Sequence, residues 1–172
     1  MTARSPSWEY RCTSSLRRES RDDMRAVVQR VRDCSVRVEG KLSGSIPSGL
    51  LVYLGIGRND SEKDARAMCE KIANLRIFTD EQGRMNQSVR DLGACILVVS
   101  QFTLYGDARE GRRPSYAEAA RPDAARALYE RALLLLAETG LQVSSGEFQT
   151  SMAVTCTNIG PVTILLDSEK RF

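Results

Sequence analysis

Two short segments of this 172-residue chain carry side chains that could do chemistry, and the chain has no histidine to assist them. The first, Ser100-Gln101-Phe102-Thr103-Leu104-Tyr105-Gly106, offers hydroxyls, an amide and main-chain N–H groups. The second, Asn158-Ile159-Gly160-Pro161-Val162-Thr163, places a Gly-Pro pair between two apolar stretches. Without histidine, Ser-His-Asp and Cys-His pairs are excluded. An enzyme built on these segments would act by positioning and oxyanion stabilisation on a substrate that is already activated.

Each segment also has an ordinary structural explanation. The first could be a buried strand that runs into a turn, where the hydroxyls satisfy stray backbone groups. The second could be a simple turn between strands, because proline lacks the N–H of a central ladder and glycine adopts backbone angles closed to other residues. The residues alone leave both explanations open.

Hydrophobic periodicity predicts the elements that would position these segments. One helix is predicted after the Asn59-Asp60-Ser61 cap, and a second begins at Pro122 and ends before Gly140. The predicted strands cover residues 26–31, 34–38, 42–46, 49–56, 75–78, 95–99, 141–144, 152–157 and 162–166. Strands outnumber helices without a regular βαβ alternation, so we predict a single α+β domain with a mostly antiparallel sheet and two packed helices.

Composition limits the function classes. The chain is 42% hydrophobic and 27% charged with a net charge of +3, which is ordinary for a globular domain and mild for a non-specific nucleic-acid coat. Its apolar runs are far shorter than the ~20 residues of a membrane span. Five cysteines form no CxxC pair. We therefore expect reduced core cysteines in a cytoplasmic protein, and neither a metal nor a cofactor.

Residues 1–23 differ from the rest of the chain. They are rich in arginine and serine, hold the only tryptophan, Trp8, and follow neither helical nor strand periodicity. We predict a disordered extension, or the product of an upstream start codon, because the patterned segment opens at Met24. Acidic residues argue against an organelle-targeting peptide. The predicted domain therefore covers residues 24–172.

Together, and in this order, the two segments resemble the D-aminoacyl-tRNA deacylases. The similarity runs from Met24 to about Asp167 and includes Arg25–Val31 and the loop from Gly106 to Pro114. Two departures stand out. Ile159 replaces a common aspartate before Gly160, and Glu110 replaces a common lysine beside the loop arginines, which weakens the local positive charge.

The resemblance implies a homodimer with a barrel-like sheet. In it Gly160-Pro161, in cis, projects from one subunit into the active site of the other and acts as a chirality filter. Arg30 would hold the Gly-Pro loop, and Met152 and Thr163 would pack close to the ligand. The residues implied to line the pocket for the terminal adenosine and the aminoacyl group are Ser100, Gln101, Phe102 and Thr103.

The implied substrate is an amino acid esterified to the 3′-terminal ribose of tRNA. The ribose 2′-hydroxyl would assist the attacking water, and glycyl-tRNA would also be at risk because glycine has no Cβ. Arg109, Arg112 and Arg113 are candidate phosphate contacts, or else a solvated surface loop. Three alternatives stay open: Thr163 or Thr103 as a nucleophile, a non-catalytic nucleic-acid-binding module of the same fold, and a general thioesterase or esterase.

Overall fold

The protein is described over residues 24–169 in a computed structural model; the extension predicted over residues 1–23 lies outside that range. A five-stranded sheet carries two helices on one face, and a separate two-stranded ribbon lies beside it. In chain order the elements are β1 (Arg25–Val38), β2 (Lys41–Gly55), α1 (Glu62–Ala73), β3 (Phe78–Thr79), β4 (Met85–Gln87), β5 (Cys95–Ser100), a 3-10 helix (Phe102–Tyr105), α2 (Pro122–Glu138), β6 (Val143–Ser145) and β7 (Met152–Asp167).

The main sheet is mixed, so the prediction of a mostly antiparallel, barrel-like sheet was wrong in part. Its strand order is β6-β5-β2-β1-β7. β1 is antiparallel to β2 and β7, whereas β5 is parallel to β2 and β6. The two parallel pairs arise because the segments that hold α1 and α2 cross over the sheet before the chain re-enters it. Among the described residues no ladder joins the edge strands β6 and β7, so the sheet is not closed.

A long hairpin of β1 and β2 forms the centre of the sheet. Its turn, Glu39-Gly40, has φ values of 50° and 80°, as tight hairpin turns require. The strands predicted separately at 26–31 and 34–38 are one strand, and so are those at 42–46 and 49–56. The interruption in the β1 pattern is a bulge at Asp33, where φ is 52° and the pairing with β7 shifts.

Both predicted helices are confirmed at their starts. The Ser61 N–H donates to Asp64 Oδ2 at 2.9 Å in front of α1, and Pro122 is the first residue of α2. The helices pack on the sheet face that carries Leu50 and Ile96, both fully buried. Burial of each such side chain contributes about 1.5–3 kcal/mol. No helix within residues 24–169 has both the length and the apolar character needed to cross a membrane.

The opposite face of the sheet forms a second, smaller core around Val36 and Leu97. Cys34 lies there beside Cys156 of β7. Burial, followed by the neighbouring Cys156 thiol, raises the pKa of Cys34 to about 12, so this thiol stays protonated at neutral pH. The four cysteines in the described range are free, and three of them are buried, as expected of core cysteines.

Gly49 marks a close approach between β2 and β5. Its φ is 139°, and a Cβ there would lie 1.9 Å from the Cys95 carbonyl oxygen. Gly49→Ala should force the two strands apart and lower the free energy of unfolding by about 4 kcal/mol or more. Urea denaturation measures the loss.

Gly83→Ala is the matched control for that substitution. Gly83 also has a positive φ, 79°, but open space surrounds its missing Cβ. The control should therefore lose only the backbone strain of about 1–2 kcal/mol. Equal losses in the two variants would contradict the role assigned to the Gly49 contact.

Candidate active site

A cavity of about 690 Å³ opens at the carboxyl end of β5. The strand is buried from Cys95 to Val99 and presents Ser100 at its end. The Gln101 N–H donates to the Leu54 carbonyl at 2.8 Å, which fixes the point where the chain leaves the sheet. Apart from the end of β5, the walls come from the start of α2 with the segment before it, and from residues 148–154.

The 3-10 helix that follows β5 begins with main-chain N–H groups that have no acceptor within the helix. Its first hydrogen bond runs from the Leu104 N–H to the Gln101 carbonyl at 3.4 Å. The N–H groups of Phe102 and Thr103 precede that bond, so the helix itself gives them no acceptor. Gln101 Nε2 donates to the Thr103 hydroxyl, which ties the two polar side chains together.

Two aromatic rings form one wall of the cavity. Phe102 and Tyr116 meet edge to face, with ring centroids 5.1 Å apart and an interplanar angle of 71°. Both rings are accessible, since Phe102 is 58% exposed and Tyr116 39% exposed. Exposed rings at the mouth of a cavity are suited to stacking with a flat aromatic group.

The Gly-Pro segment lies inside β7 and forms a wide bulge. Gln29 pairs with Thr163 and Val31 pairs with Asn158, so residues 159–162 stand opposite Arg30 alone. The Gly160-Pro161 peptide bond is cis, the geometry that the resemblance implies, and Gly160 has a φ of 122°. β7 is therefore one strand where two had been predicted, and the Gly-Pro pair interrupts its ladder without ending it.

Side chains on both strands hold this bulge in place. Arg30 Nε donates to the Ile159 carbonyl at 3.1 Å, and Arg30 Nη1 donates to the Ile77 carbonyl at 2.7 Å. The Val162 N–H donates to Asn158 Oδ1 at 3.0 Å. A Cβ on Gly160 would lie 2.9 Å from Arg30 Nη2, so the bulge has no space for a larger residue there.

Thr163 lies just beyond the bulge, and its hydroxyl oxygen accepts two hydrogen bonds. Asn158 Nδ2 donates to it at 3.0 Å and Gln29 Nε2 at 3.1 Å. Both partners are amides, which cannot remove the hydroxyl proton. The hydroxyl thus serves the local network of the bulge.

Apart from the three loop arginines, the predicted site residues fall into two groups within one chain. Ser100, Gln101, Phe102 and Met152 line the cavity, and Thr103 contacts Gln101. Gly160, Pro161, Thr163 and Arg30 lie at the bulge, outside the cavity lining. The bulge is on β7, three positions from β5 in the sheet, and register places it level with Ile96. Ile96 is four residues before Ser100, about 13 Å along the strand.

Several cavity residues were not identified from the sequence. They are Tyr116, the stretch 119–122 and the stretch 148–150. The Pro122 signal located the start of α2 but not its position beside the end of β5. Gln149 has a φ of 65°, which is unusual for a residue with a side chain, and no sequence pattern predicts it.

The loop from Gly106 to Pro114 carries one arginine that pairs with a carboxylate and two that form no ion pair among the described residues. Arg109 Nε donates to Asp107 Oδ1 at 2.8 Å, and this guanidinium holds the pKa of the Asp107 carboxyl well below its usual range. Arg112 and Arg113 are exposed, and no ion pair within residues 24–169 includes either. In that same range no group of three His, Cys, Asp or Glu residues could hold a metal ion.

Known proteins resemble this chain in both sequence and fold. The D-Tyr-tRNA(Tyr) deacylase family model matches residues 27–167. The D-aminoacyl-tRNA deacylases of Thermotoga petrophila and Koribacter versatilis are each 56% identical to it over 149 residues, which is 87% of this chain and 100% of theirs.

Two solved structures share the architecture. The c-Myc DNA Unwinding Element Binding Protein is 40% identical with a TM-score of 0.78, over 83% of this chain and 97% of its own. A probable eukaryotic D-amino acid tRNA deacylase has a TM-score of 0.74 at 19% identity, over 84% and 99%, a likeness of fold alone. From the family match and the close relatives, this chain belongs to the D-Tyr-tRNA(Tyr) deacylase family and is a hydrolase that acts on ester bonds.

Proposed function

We propose that this enzyme hydrolyses the ester bond of D-aminoacyl-tRNA and releases the free D-amino acid and tRNA. The observation that carries the proposal is the cavity at the end of β5, which brings Ser100 and Gln101 together with the rings of Phe102 and Tyr116. Relatives that bear the name D-aminoacyl-tRNA deacylase at 56% identity support the choice of substrate. An enzyme that acts on this substrate would work in the cytoplasm, where translation takes place.

The terminal adenosine of tRNA would occupy this cavity. Its volume of about 690 Å³ falls within the range of small-molecule sites. The base would stack on Phe102 or Tyr116, as unpaired bases stack on exposed rings in RNA-binding proteins. Ser100 and Gln101 would then lie near the ribose and the ester.

The chemistry would need little from side chains. An amino acid ester of a ribose is activated, so water can attack its carbonyl when the ester is held in place. The neighbouring 2′-hydroxyl of the substrate would orient that water. The N–H groups of Phe102 and Thr103 would stabilise the developing oxyanion, and one such donor is typically worth about 3–4 kcal/mol.

Neither threonine is a strong candidate for a nucleophile. The Thr163 hydroxyl accepts hydrogen bonds from two amides, and the Thr103 hydroxyl accepts one from Gln101. An unassisted threonine is a weak nucleophile and needs a base within hydrogen-bond reach. The described contacts therefore favour direct attack by water.

Chirality would be selected by the bulge of a second subunit. β7 is an edge strand of sixteen residues, and Gly160 and Pro161 are exposed on it. A long free edge is a surface for pairing with another chain. The register of the sheet keeps the bulge away from the cavity of its own chain. In a homodimer the bulge would enter the partner's cavity instead.

The filter would work by repulsion from main chain. The carbonyls of Gly160 and Pro161 would accept hydrogen bonds from the substrate ammonium group, so a D residue would point its side chain outward. An L residue would drive its Cβ into backbone that Arg30 and Asn158 hold in place. Glycine has no Cβ, so glycyl-tRNA would pass the same filter.

A second candidate function is a nucleic-acid-binding module without catalysis. It is suggested by the c-Myc DNA Unwinding Element Binding Protein, whose name describes DNA binding and which is 40% identical to this chain. The mild net charge of +3 favours the enzymatic function over a general affinity for nucleic acid.

A deacylation assay with D-tyrosyl-tRNA and L-tyrosyl-tRNA separates these functions. We expect rapid release of D-tyrosine and at least a hundredfold slower release of L-tyrosine, on the order of what a steric filter achieves. A D-tyrosyl-tRNA that ends in 2′-deoxyadenosine should be cleaved far more slowly. If neither stereoisomer is cleaved, the non-catalytic binding module remains as the function. Full activity on the deoxy substrate would favour a general esterase.

Gly160→Ala should remove activity and leave the protein folded. The new Cβ would meet Val162 Cγ2 at 2.8 Å and Arg30 Nη2 at 2.9 Å, so the bulge must shift. A displacement of about 1 Å at a reacting centre costs on the order of a hundredfold in rate. The measurement is kcat/KM with D-tyrosyl-tRNA, with circular dichroism to check the fold.

Gly93→Ala is the control, since Gly93 has a φ of 56° and open space around it. Full activity of Gly160→Ala would refute the filter.

Charge reversal at Arg112 or Arg113 should weaken tRNA binding. Each substitution to glutamate removes one phosphate contact, so KM for D-tyrosyl-tRNA should rise and the slope of log KM against log salt should fall by roughly 0.7–0.9. Arg90→Glu, an exposed arginine after β4, is the control and should leave both quantities unchanged. Kinetics that match the control would remove this loop from the tRNA-binding surface.

A further inference from the structure

A second cavity, of about 420 Å³, adjoins the one at the end of β5. Arg58, Ala119, Arg121 and Ala124 line it, and it shares Ala119 and Arg121 with the larger cavity. Both charged side chains in its lining are arginines. A molecule that fills the larger cavity would therefore have a positively charged compartment beside it.

Arg58 is held in this wall by main-chain contacts. Its N–H donates to the Glu118 carbonyl at 2.9 Å, and its Nη2 donates to the Ala117 carbonyl. The Ala120 N–H donates to the Ile56 carbonyl at 2.9 Å, which ties the loop after β2 to the segment before α2. The guanidinium is thus anchored through one nitrogen, and its remaining N–H groups are available for a ligand.

Neither arginine is neutralised by a carboxylate within residues 24–169. No ion pair between described side chains includes Arg58 or Arg121. Asp123, the acidic residue in the first turn of α2, is absent from the lining of either cavity. The α2 helix also begins here, and its N-cap residue Arg121 makes no capping hydrogen bond with its side chain, so the positive end of the helix dipole adds to the field.

We propose that Arg58 and Arg121 bind the phosphodiester on the 5′ side of the terminal adenosine of the substrate. This inference rests on the proposed function, which puts that adenosine in the larger cavity. The 5′-phosphate is one ribose away from the base, and the positively charged cavity adjoins the larger one through Ala119 and Arg121. Guanidinium groups suit a phosphate because their planar N–H groups can donate to two of its oxygens.

The contact would position the ester as well as add affinity. Phosphate contacts fix the register of a nucleic acid on a protein without reading its sequence. Here they would set how deeply the terminal nucleotide enters, and so where the ester carbonyl lies relative to the N–H groups of Phe102 and Thr103. Small aminoacyl esters without a phosphate would lack this constraint.

Calorimetric titration of the full chain with adenosine and with adenosine 5′-monophosphate tests the proposal. The wild-type protein should bind the monophosphate at least about tenfold more tightly, as expected for charged hydrogen bonds. In Arg58→Gln/Arg121→Gln the two affinities should become equal, and in Arg58→Gln, whose residue lines only the smaller cavity, adenosine affinity should change less than about twofold. Arg90→Gln, whose residue lies outside both cavities, should keep the wild-type ratio.

The outcomes distinguish this inference from the proposed function. A wild-type protein with no preference for the monophosphate, or a double variant that keeps the preference, overturns the phosphate site. In either case cleavage of D-tyrosyl-tRNA would leave the proposed function standing. A wild-type protein that binds neither nucleotide and cleaves no aminoacyl-tRNA overturns both. If the double variant fails to fold, the affinities of the wild-type protein and of the single Arg58→Gln variant for the two nucleotides still test the phosphate site.

Discussion

The hydrogen bonds from Arg30 to two main-chain carbonyls are the constraint on which the proposed selectivity would depend. Repulsion can discriminate between mirror images only if the repelling atoms do not move, and a four-residue bulge in an edge strand is not rigid by itself. Arg30 joins the Ile159 carbonyl to the Ile77 carbonyl, so the bulge is fixed to a segment outside the sheet. Asn158 closes the bulge from within through the Val162 N–H. Gly160 is required there because Arg30 already occupies the space that a Cβ would need.

The mixed topology explains why the cavity and the Gly-Pro bulge, the two halves of the proposed site, lie apart in one chain. The crossover segments place β5 inside the sheet and parallel to its neighbours, and they bring the start of α2 beside the carboxyl end of β5. The cavity forms at that end, as ligand sites commonly do at the carboxyl ends of parallel strands. β7 is instead the edge strand on the antiparallel side of the sheet, and it carries the bulge. A complete site of the proposed kind would therefore need two chains, and the same edge strand would supply the surface on which they meet.

The sequence predicted the local elements well and their arrangement less well. Periodicity and capping residues located both helices, because those signals involve neighbours within one turn. The strand after residue 95 and the polar residues at its end were likewise evident. Strand direction was not, since an apolar run has the same pattern in a parallel or an antiparallel ladder, and the expected antiparallel sheet was wrong for β5. The sequence does not predict that the stretch 148–150 lines the cavity, because this role depends on tertiary position alone. The positive φ of Gln149 is likewise not evident from composition.

The distribution of arginine explains how a nearly neutral chain could act on RNA. A net charge of +3 gives little long-range attraction, so binding would depend on where uncompensated charges lie. Arg109 contributes little of this charge, since Asp107 binds its guanidinium. Arg112 and Arg113 are open on their loop, and Arg58 and Arg121 face the compartment beside the cavity. Uncompensated arginines thus lie on the loop after the 3-10 helix and in the lining of the smaller cavity. Because the chain has no histidine, accurate placement of the RNA, rather than a strong base, would have to supply most of the rate.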